Sequence, residues 1–318
     1  MSQNLAELLG CLADGQVHSA QALARELAIG HRDVLKRIEQ LRELGLSVRA
    51  ESGAGYQLAD PIQRLDDDRI SKHLDQPPID LELRFLVDST NACLSRELGD
   101  QPPPRALIAR AQSQGRGRRG RDWISPPGAG LYLSLAWRFE AGLRGLSALS
   151  LVTGLAAAEV LKSHGLAEVA LKWPNDLIVN GRKLGGCLID INGTADGPCD
   201  AIAGLGINLD LGDTVAIDQP WIDLGQLGIK PDHNRLCAEL INALTRAYSE
   251  LDRAGFEAFE QRWDQFDALK NSPVRVERGH KPELNGKALG VDLQGRLQVE
   301  TAAGIAYLSS GEVSVRAL

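Results

Sequence analysis

Apolar residues recur at three- and four-residue intervals over Leu5, Leu8, Leu9 and Leu12, which predicts an opening amphipathic helix. Ser19 can cap a second helix over 20–28, with Leu23 and Leu27 turned inward. Gly30 breaks the chain, and a third helix is predicted over 31–44 on the stripe Val34, Ile38, Leu41 and Leu44. The period then changes. From Val48 to Leu58 the chain alternates around Gly53-Ala54-Gly55, a β-hairpin pattern.

Pro61 and the acidic run Asp66-Asp67-Asp68 mark the boundary to a larger unit in which strands and helices alternate. Strands are predicted at 84–87, 106–111, 131–137, 169–173, 176–179, 185–191 and 201–209. Helices are predicted at 91–98, 148–164, 235–254 and 255–266. After Lys270 the pattern becomes short alternating segments between glycines, which predicts five strands at 274–276, 286–291, 297–299, 305–308 and 313–315. Three units follow: a winged helix-turn-helix layout, an α+β or mixed α/β body, and a small SH3-like barrel.

A chain of 318 residues can bury at least one large core, and the net charge of −7 excludes a basic nucleic-acid coat, though not a local basic face. Five dispersed cysteines without a CxxC pair read as reduced thiols, and no signal segment or membrane-length apolar run is evident, so a cytoplasmic location is expected. The third helix and hairpin carry His31, Arg32, Lys36, Arg37 and Arg49 on their outer side, the side that would enter a DNA major groove. Between 31 and 49 five bases (32, 36, 37, 42, 49) face three acids (33, 39, 43), yet over 1–60 six bases face eight acids. That footprint is weak, and a helix bundle used for packing or dimer contact stays open.

The chemistry is concentrated at predicted strand ends. Gly115-Arg116-Gly117-Arg118-Arg119-Gly120-Arg121, with Trp123 behind it, puts four guanidiniums and three glycines into seven residues. Such a loop can wrap anions, and Trp123 offers a flat apolar face for a base; a solvated charged loop is the plain alternative. Ser89-Thr90-Asn91 can cap a helix or hold a polar ligand at its N-terminus, and Gln112 is equally ambiguous. Lys172-Trp173-Pro174-Asn175-Asp176 sets a cation, an amide and a carboxylate around a turn. Lys183 precedes Leu184-Gly185-Gly186, and Gly204-Leu205-Gly206-Ile207-Asn208 is a strand that lets a ligand lie against backbone. Neither a hydrolase triad nor a P-loop or dinucleotide fingerprint is present.

In order and spacing, these segments resemble the bifunctional biotin–protein ligases that also act as biotin operon repressors, the biotin–[acetyl-CoA-carboxylase] ligases. The resemblance extends to the C-terminal Gly311-Glu312-Val313-Ser314. It implies a winged helix-turn-helix domain at 1–62, a class II synthetase-like mixed-sheet domain at 63–268 and an SH3-like barrel at 269–318. The implied substrates are biotin and Mg²⁺-ATP, and the acceptor is a lysine of the biotin carboxyl carrier protein. Biotin would be held by Ser89, Thr90, Asn91, Gln112, Gly115, Arg116, Gly117, Arg118, Lys183 and Gly186. ATP would be held by Arg121, Trp123, Lys172, Asn175 and Asn208. Lys183, Arg118 and Asp176 would carry the chemistry, Asp176 by orienting the incoming lysine, and no resident metal site is implied. The resemblance further implies homodimerisation on ligand binding and contact with operator DNA through His31, Arg32, Lys36, Arg37 and Arg49. Two departures stand out: Gly30-His31-Arg32-Asp33 opens the third helix without a serine-type cap, and Cys187 replaces an aliphatic residue. The alternatives are a ligase of the same fold that activates lipoate or another short acyl acid, against which the glycine–arginine loop argues, a ligase that does not bind DNA, and a biotin sensor without ligase activity. The glycine–arginine loop is expected to order only when anions neutralise it, so biotin with ATP would shield 115–121 from protease.

Overall fold

The computed structural model describes residues 2–99, 102–142, 146–193, 197–212, 217–278, 281–309 and 314–317. Helices α1 (Ser2–Leu12), α2 (Ala20–Glu26) and α3 (His31–Glu43) precede a hairpin of β1 (Val48–Glu51) and β2 (Gly55–Leu58). Ser19 caps α2, and the stripe Val34, Ile38 and Leu41 of α3 is buried, as its spacing requires. His18 and Tyr56 exchange backbone bonds of 2.9 and 2.8 Å, which adds a short third rung to the hairpin. A Cβ on Gly55 would lie 2.0 Å from the carbonyl oxygen of His18, so only glycine permits this approach.

Arg42 fastens α3 to the hairpin. Its Nε and Nη2 donate to the Val48 carbonyl at 3.0 and 2.7 Å, while Nη1 donates to Glu39. Arg42→Ala is expected to lower stability by about 1 to 2 kcal/mol, the worth of charge-assisted bonds at a part-buried site. Chemical denaturation checks this, and a loss under about 0.5 kcal/mol would mean that water serves that carbonyl equally well.

The acidic run at 66–68 proves to be a helix start. Asp66 caps α4 (Asp67–Ser71) by accepting from the Arg69 N–H. The central unit is a seven-stranded mixed sheet in the order β3-β4-β5-β9-β8-β7-β6, parallel only between β3 and β4. Its strands are β3 (Asp80–Val87), β4 (Arg105–Gln112), β5 (Gly130–Phe139), β6 (Val169–Lys172), β7 (Asp176–Val179), β8 (Arg182–Gly193) and β9 (Cys199–Asn208). Helices α6 (Leu149–Ser163) and α7 (His233–Ala254) join the large core on one face, and α5 (Thr90–Glu97) joins a smaller cluster on the other. Cover on both faces explains why β4 and β5 are almost continuously buried. The segment Leu146–Ser163 is apolar and long enough to span a membrane, but 72% of it is buried in this core.

The helix expected at 255–266 does not form as one piece. Gly255 takes φ 69° and ends α7, and a 3₁₀ turn at Phe256–Ala258 leads into a short α8 (Glu260–Asp264). The last five strands, β10 (Pro273–Arg278), β11 (Lys281–Val291), β12 (Leu297–Thr301), β13 (Gly304–Leu308) and β14 (Ser314–Ala317), form one antiparallel sheet ordered β13-β12-β11-β10-β14. Residues 311–313, part of the Gly311-Glu312-Val313-Ser314 motif, lie outside the described residues. Val274, Val276, Ala288 and Leu297 belong to the same core as the central helices. The Trp173 indole N–H donates to the Gly295 carbonyl at 3.0 Å, which pins the 172–176 turn against this last sheet. At the other end Phe85 of β3 joins the core of the first three helices.

Candidate active site

A cavity of about 480 Å³ opens against the central sheet, bounded by segments 89–91, 116–118, 120–124, 186–188, 204–206 and 217–219. Most of the motifs singled out in the sequence meet here. Ser89, Thr90, Asn91, Gln112, Arg116, Gly117, Arg118, Lys183 and Gly186 line it, as do Arg121, Trp123, Asn175 and Asn208.

Its floor is polar and buried. Ser89 caps α5, accepting from the Ala92 N–H at 3.5 Å, so its hydroxyl serves the helix as well as the cavity. The Thr90 N–H and hydroxyl both donate to Gln112 Oε1, at 2.9 and 3.2 Å. Gln112 Nε2 donates to Ser125 Oγ at 3.0 Å, and that hydroxyl donates to the Trp123 carbonyl at 2.8 Å. Ser134, fully buried on β5, has its Oγ 2.7 Å from Thr90 Oγ1 and 2.6 Å from Asn91 Oδ1. A Cβ on Gly204 would come within 2.4 Å of Asn91 Oδ1, so glycine on β9 makes room for that amide.

The glycine–arginine loop forms one wall. It closes on itself through Trp123 N–H to the Gly115 carbonyl (2.8 Å) and Gly117 N–H to the Arg121 carbonyl (2.6 Å). Arg119 sits in the left-handed region at φ 59° within a 3₁₀ turn over Arg118–Gly120. Arg118 Nη1 donates to Asn175 Oδ1 at 3.1 Å, and Arg116 Nη2 donates to Asp190 at 3.0 Å. Burial, reinforced by the Arg119 charge beside it, pulls the Arg118 guanidinium below its ordinary pKa. Crowded like charges favour an incoming anion, which relieves the repulsion.

Lys183 adds a further cation to the lining. Lys183 Nζ lies 2.7 Å from Asp176 Oδ1 and 5.4 Å from the Trp123 ring centroid. Its backbone is tied to the 220–222 segment by Lys183 N–H to Pro220 O and Ile222 N–H to Lys183 O, both 2.9 Å. Trp123 packs against Gly206, where a Cβ would meet the indole at 2.6 Å. Asn175 joins β8 from its turn, donating through Nδ2 to the Cys187 carbonyl at 2.8 Å. Cys187 is buried and its thiol is pushed up to about 12, so it fills space as a small apolar group.

Three expected residues stand behind the lining and not in it. Gly115 permits the close approach of segment 123–125 (a Cβ there would meet the Trp123 carbonyl at 2.2 Å) but does not border the cavity. Asp176 does not border it because its carboxylate is turned to Lys183. Lys172 is half-buried at the end of β6, its amine held below the ordinary range by burial and by the charges of Lys183, Arg316 and Arg121, against the pull of Asp176. Asn208 does line the cavity, yet its amide is occupied in donating to the Lys183 and Ile222 carbonyls. Of the DNA-facing set, His31, Arg32, Lys36 and Arg49 are exposed, whereas Arg37 is half-buried with Nη1 enclosed.

Sequence reasoning missed Ser134, Asp190 and Tyr132. For Ser134 and Asp190 a signal existed: a lone polar residue within an otherwise apolar strand, Leu133-Ser134-Leu135 and Ile189-Asp190-Ile191. Tyr132 lines the cavity, and its hydroxyl donates to the Pro126 carbonyl at 3.0 Å.

Residues 83–208 match the biotin/lipoate A/B protein ligase family, and residues 271–316 match the biotin protein ligase C-terminal domain. The bifunctional ligase/repressor BirA of Salmonella typhimurium is 39% identical over 311 residues, covering 97% of this chain and 96% of the relative. A biotin–[acetyl-CoA-carboxylase] ligase of Paracoccus denitrificans is 32% identical over 236 residues, 71% of this chain and 97% of that one. Among solved structures, the biotin protein ligase of Aquifex aeolicus in complex with biotin and ATP superposes with a TM-score of 0.66 at 26% identity, over 75% of this chain and 99% of that one. With a polar-floored, arginine-walled cavity at the matched segments and 39% identity to the Salmonella relative over nearly all of both chains, this chain belongs to the biotin protein ligase family.

Proposed function

We propose that this chain is an ATP-dependent biotin–protein ligase that joins biotin to a lysine of the biotin carboxyl carrier protein of acetyl-CoA carboxylase, and a biotin-responsive repressor. The observation that carries this is one cavity that joins a buried polar floor, Arg116, Arg118, Arg121 and Lys183, and a tryptophan face. In the first step a biotin carboxylate oxygen attacks the α-phosphorus of ATP; the bond to the β-phosphate oxygen breaks and pyrophosphate leaves. Both reactants are anions, so the site must hold preset cations, which cost no reorganisation during reaction.

The floor around Ser89, Thr90, Asn91 and Gln112 takes the polar head of biotin, and Arg116 and Arg118 take its carboxylate and the acyl phosphate formed from it. Lys183 neutralises the reacting oxygens, Trp123 stacks on adenine, and Arg121 and Asn175 face the phosphates, with Mg²⁺ arriving on the nucleotide. Asn208 supports this by fixing the Lys183 backbone. In the second step the acceptor amine attacks the acyl carbon, the carbon–oxygen bond to AMP breaks, and the amine proton is lost. Asp176, paired with Lys183 just behind the lining, orients the incoming amine.

Intact-mass analysis of a carrier-protein domain incubated with this chain, biotin and Mg²⁺-ATP tests the ligase. One biotinyl group gained only when ATP is present is expected; biotin binding without transfer would leave a sensor.

The first unit is read as a winged helix with α3 as its DNA-reading element, the last sheet as an SH3-like barrel, and the repressing form as a ligand-induced homodimer. Each phosphate contact releases counterions, so operator affinity is expected to fall steeply with salt, and Arg32→Ala or Lys36→Ala to flatten the log–log slope by about 0.9 per contact removed. Exposed Asp33 in the first turn of α3, which no side chain caps, favours a second reading in which the ligase does not bind DNA. A salt-independent, non-saturating signal in the same titration would establish it.

A further inference from the structure

Ser134 is fully buried on β5 and stands behind the cavity lining, within reach of two residues that border it, Thr90 and Asn91. The number of protons in this cluster fixes which way each bond runs. Asn91 Nδ2 commits both of its protons, to the Leu188 carbonyl at 3.2 Å and to Asp190 Oδ2 at 3.1 Å. Its Oδ1 therefore faces Ser134 and can only accept. Ser134 has one hydroxyl proton, and the 2.6 Å contact with Oδ1 requires it, because two lone pairs at that distance repel. Thr90 Oγ1 lies 2.7 Å from Ser134 Oγ, and the proton between them then has to come from Thr90.

The other side of the cluster runs the same way. The Trp123 carbonyl can only accept, so Ser125 donates to it and accepts from Gln112 Nε2. That turns Gln112 Oε1, an acceptor, toward Thr90. The single Thr90 hydroxyl proton thus has two acceptors inside the protein, Ser134 Oγ at 2.7 Å and Gln112 Oε1 at 3.2 Å. It has none to spare for a ligand. What Thr90 offers the cavity is a lone pair.

We propose that Ser134 is a specificity-determining positioning residue: it draws the Thr90 proton inward, so that the cavity floor accepts a ring N–H and rejects a ring oxygen in the same place. This inference rests on the ligase reading, which puts the ureido ring of biotin on this floor. A cyclic carbamate, in which oxygen replaces one ureido N–H, would set lone pair against lone pair at Thr90. Without Ser134 the Thr90 hydroxyl keeps only its 3.2 Å contact and can turn its proton toward such an oxygen.

Pyrophosphate exchange with biotin and with each of its two carbamates tests this in the full chain. Against one of the two, the parent is expected to prefer biotin by at least about 10²-fold in kcat/KM, as a site built to bond an N–H does. Ser134→Ala should cut that preference below about tenfold, because the rejecting lone pair is no longer fixed. Biotin itself should lose through KM and not through kcat. Ser134→Cys, whose thiol fills the site but bonds weakly, should lie between the two. In a Thr90→Val background, Ser134→Ala should leave the preference unchanged within about twofold, since the hydroxyl it acts through is gone.

An equal loss for biotin and both carbamates would make Ser134 a structural residue only and overturn the proposal. So would a full preference surviving in Ser134→Ala, or a change that persists in the Thr90→Val background. If Ser134→Ala does not fold, Ser134→Cys decides alone. A parent chain that binds biotin but exchanges no pyrophosphate would sink the ligase reading instead. The same ratios, read from calorimetric binding without ATP, would then still decide the role of Ser134, and a parent chain that binds no biotin would overturn both.

Discussion

Replacing Lys183 with alanine is expected to slow biotinyl-adenylate formation by at least about 10³-fold, the upper end of what one preset electrostatic group supplies. Two effects add in the same direction. The substitution removes a cation that is only 14% exposed and stands 5.4 Å from the face assigned to adenine. It also strips Asp176 of its partner at 2.7 Å, leaving a carboxylate beside two anionic reactants. Removing one member of a part-buried pair costs more than the pair itself is worth, because the survivor loses its compensation. Asp176→Asn placed on top of Lys183→Ala should therefore recover part of the loss. Pyrophosphate exchange measures the first step alone. A loss below tenfold would remove Lys183 from the chemistry, and no recovery in the double variant would mean that Asp176 acts elsewhere. The Lys183 backbone bonds to Pro220 and Ile222 do not depend on its side chain, so the fold should survive the substitution.

The second large effect is expected at Gly206. A Cβ there would meet the Trp123 indole at 2.6 to 2.8 Å, at three ring atoms. The Trp123 backbone is held by the Gly115 carbonyl and by the Ser125 hydroxyl, so the indole itself must turn away to make room. Gly206→Val is expected to displace the indole by about 1 Å and to lower kcat/KM for ATP at least about 10²-fold, the usual consequence of such a displacement. Gly206→Ala should fall between valine and the parent. Steady-state kinetics with biotin saturating reads this. A KM for ATP within threefold of the parent in the valine variant would mean that Trp123 does not present the nucleotide's face.

Both effects trace to segments legible in the chain before folding. The glycine–arginine loop, Lys172 to Asp176, Lys183 to Gly186 and Gly204 to Asn208 are each contiguous, and each lies at or just beyond the start or end of a strand, so local composition announces them. Strand and helix positions were legible for a similar reason: the buried stripe of α3 and the alternation of the hairpin are periodicities of neighbours along the chain. The helix expected over 255–266 is cut to Glu260–Asp264 because Gly255 takes a positive φ at the end of α7 and Phe256–Ala258 close as a 3₁₀ turn, backbone choices that an apolar pattern does not encode.

The partnerships lay beyond such reading. Ser134 lies 44 residues from Thr90 and 43 from Asn91, and Arg116 lies 74 from Asp190, so no local period relates them. Only the sheet order, which sets β5 and β8 on either side of β9, brings these side chains beneath one cavity. The same holds for the last sheet, whose own alternation suggests a separate barrel but whose apolar face completes the central core and fixes Trp173 through Gly295. By itself the sequence determined which residues could bind anions and a base, because charge, flexibility and aromaticity belong to each residue. Tertiary structure alone decided which of them act on a ligand and which support another side chain: a hydrogen bond or ion pair forms only where the fold brings two distant groups within about 3 Å.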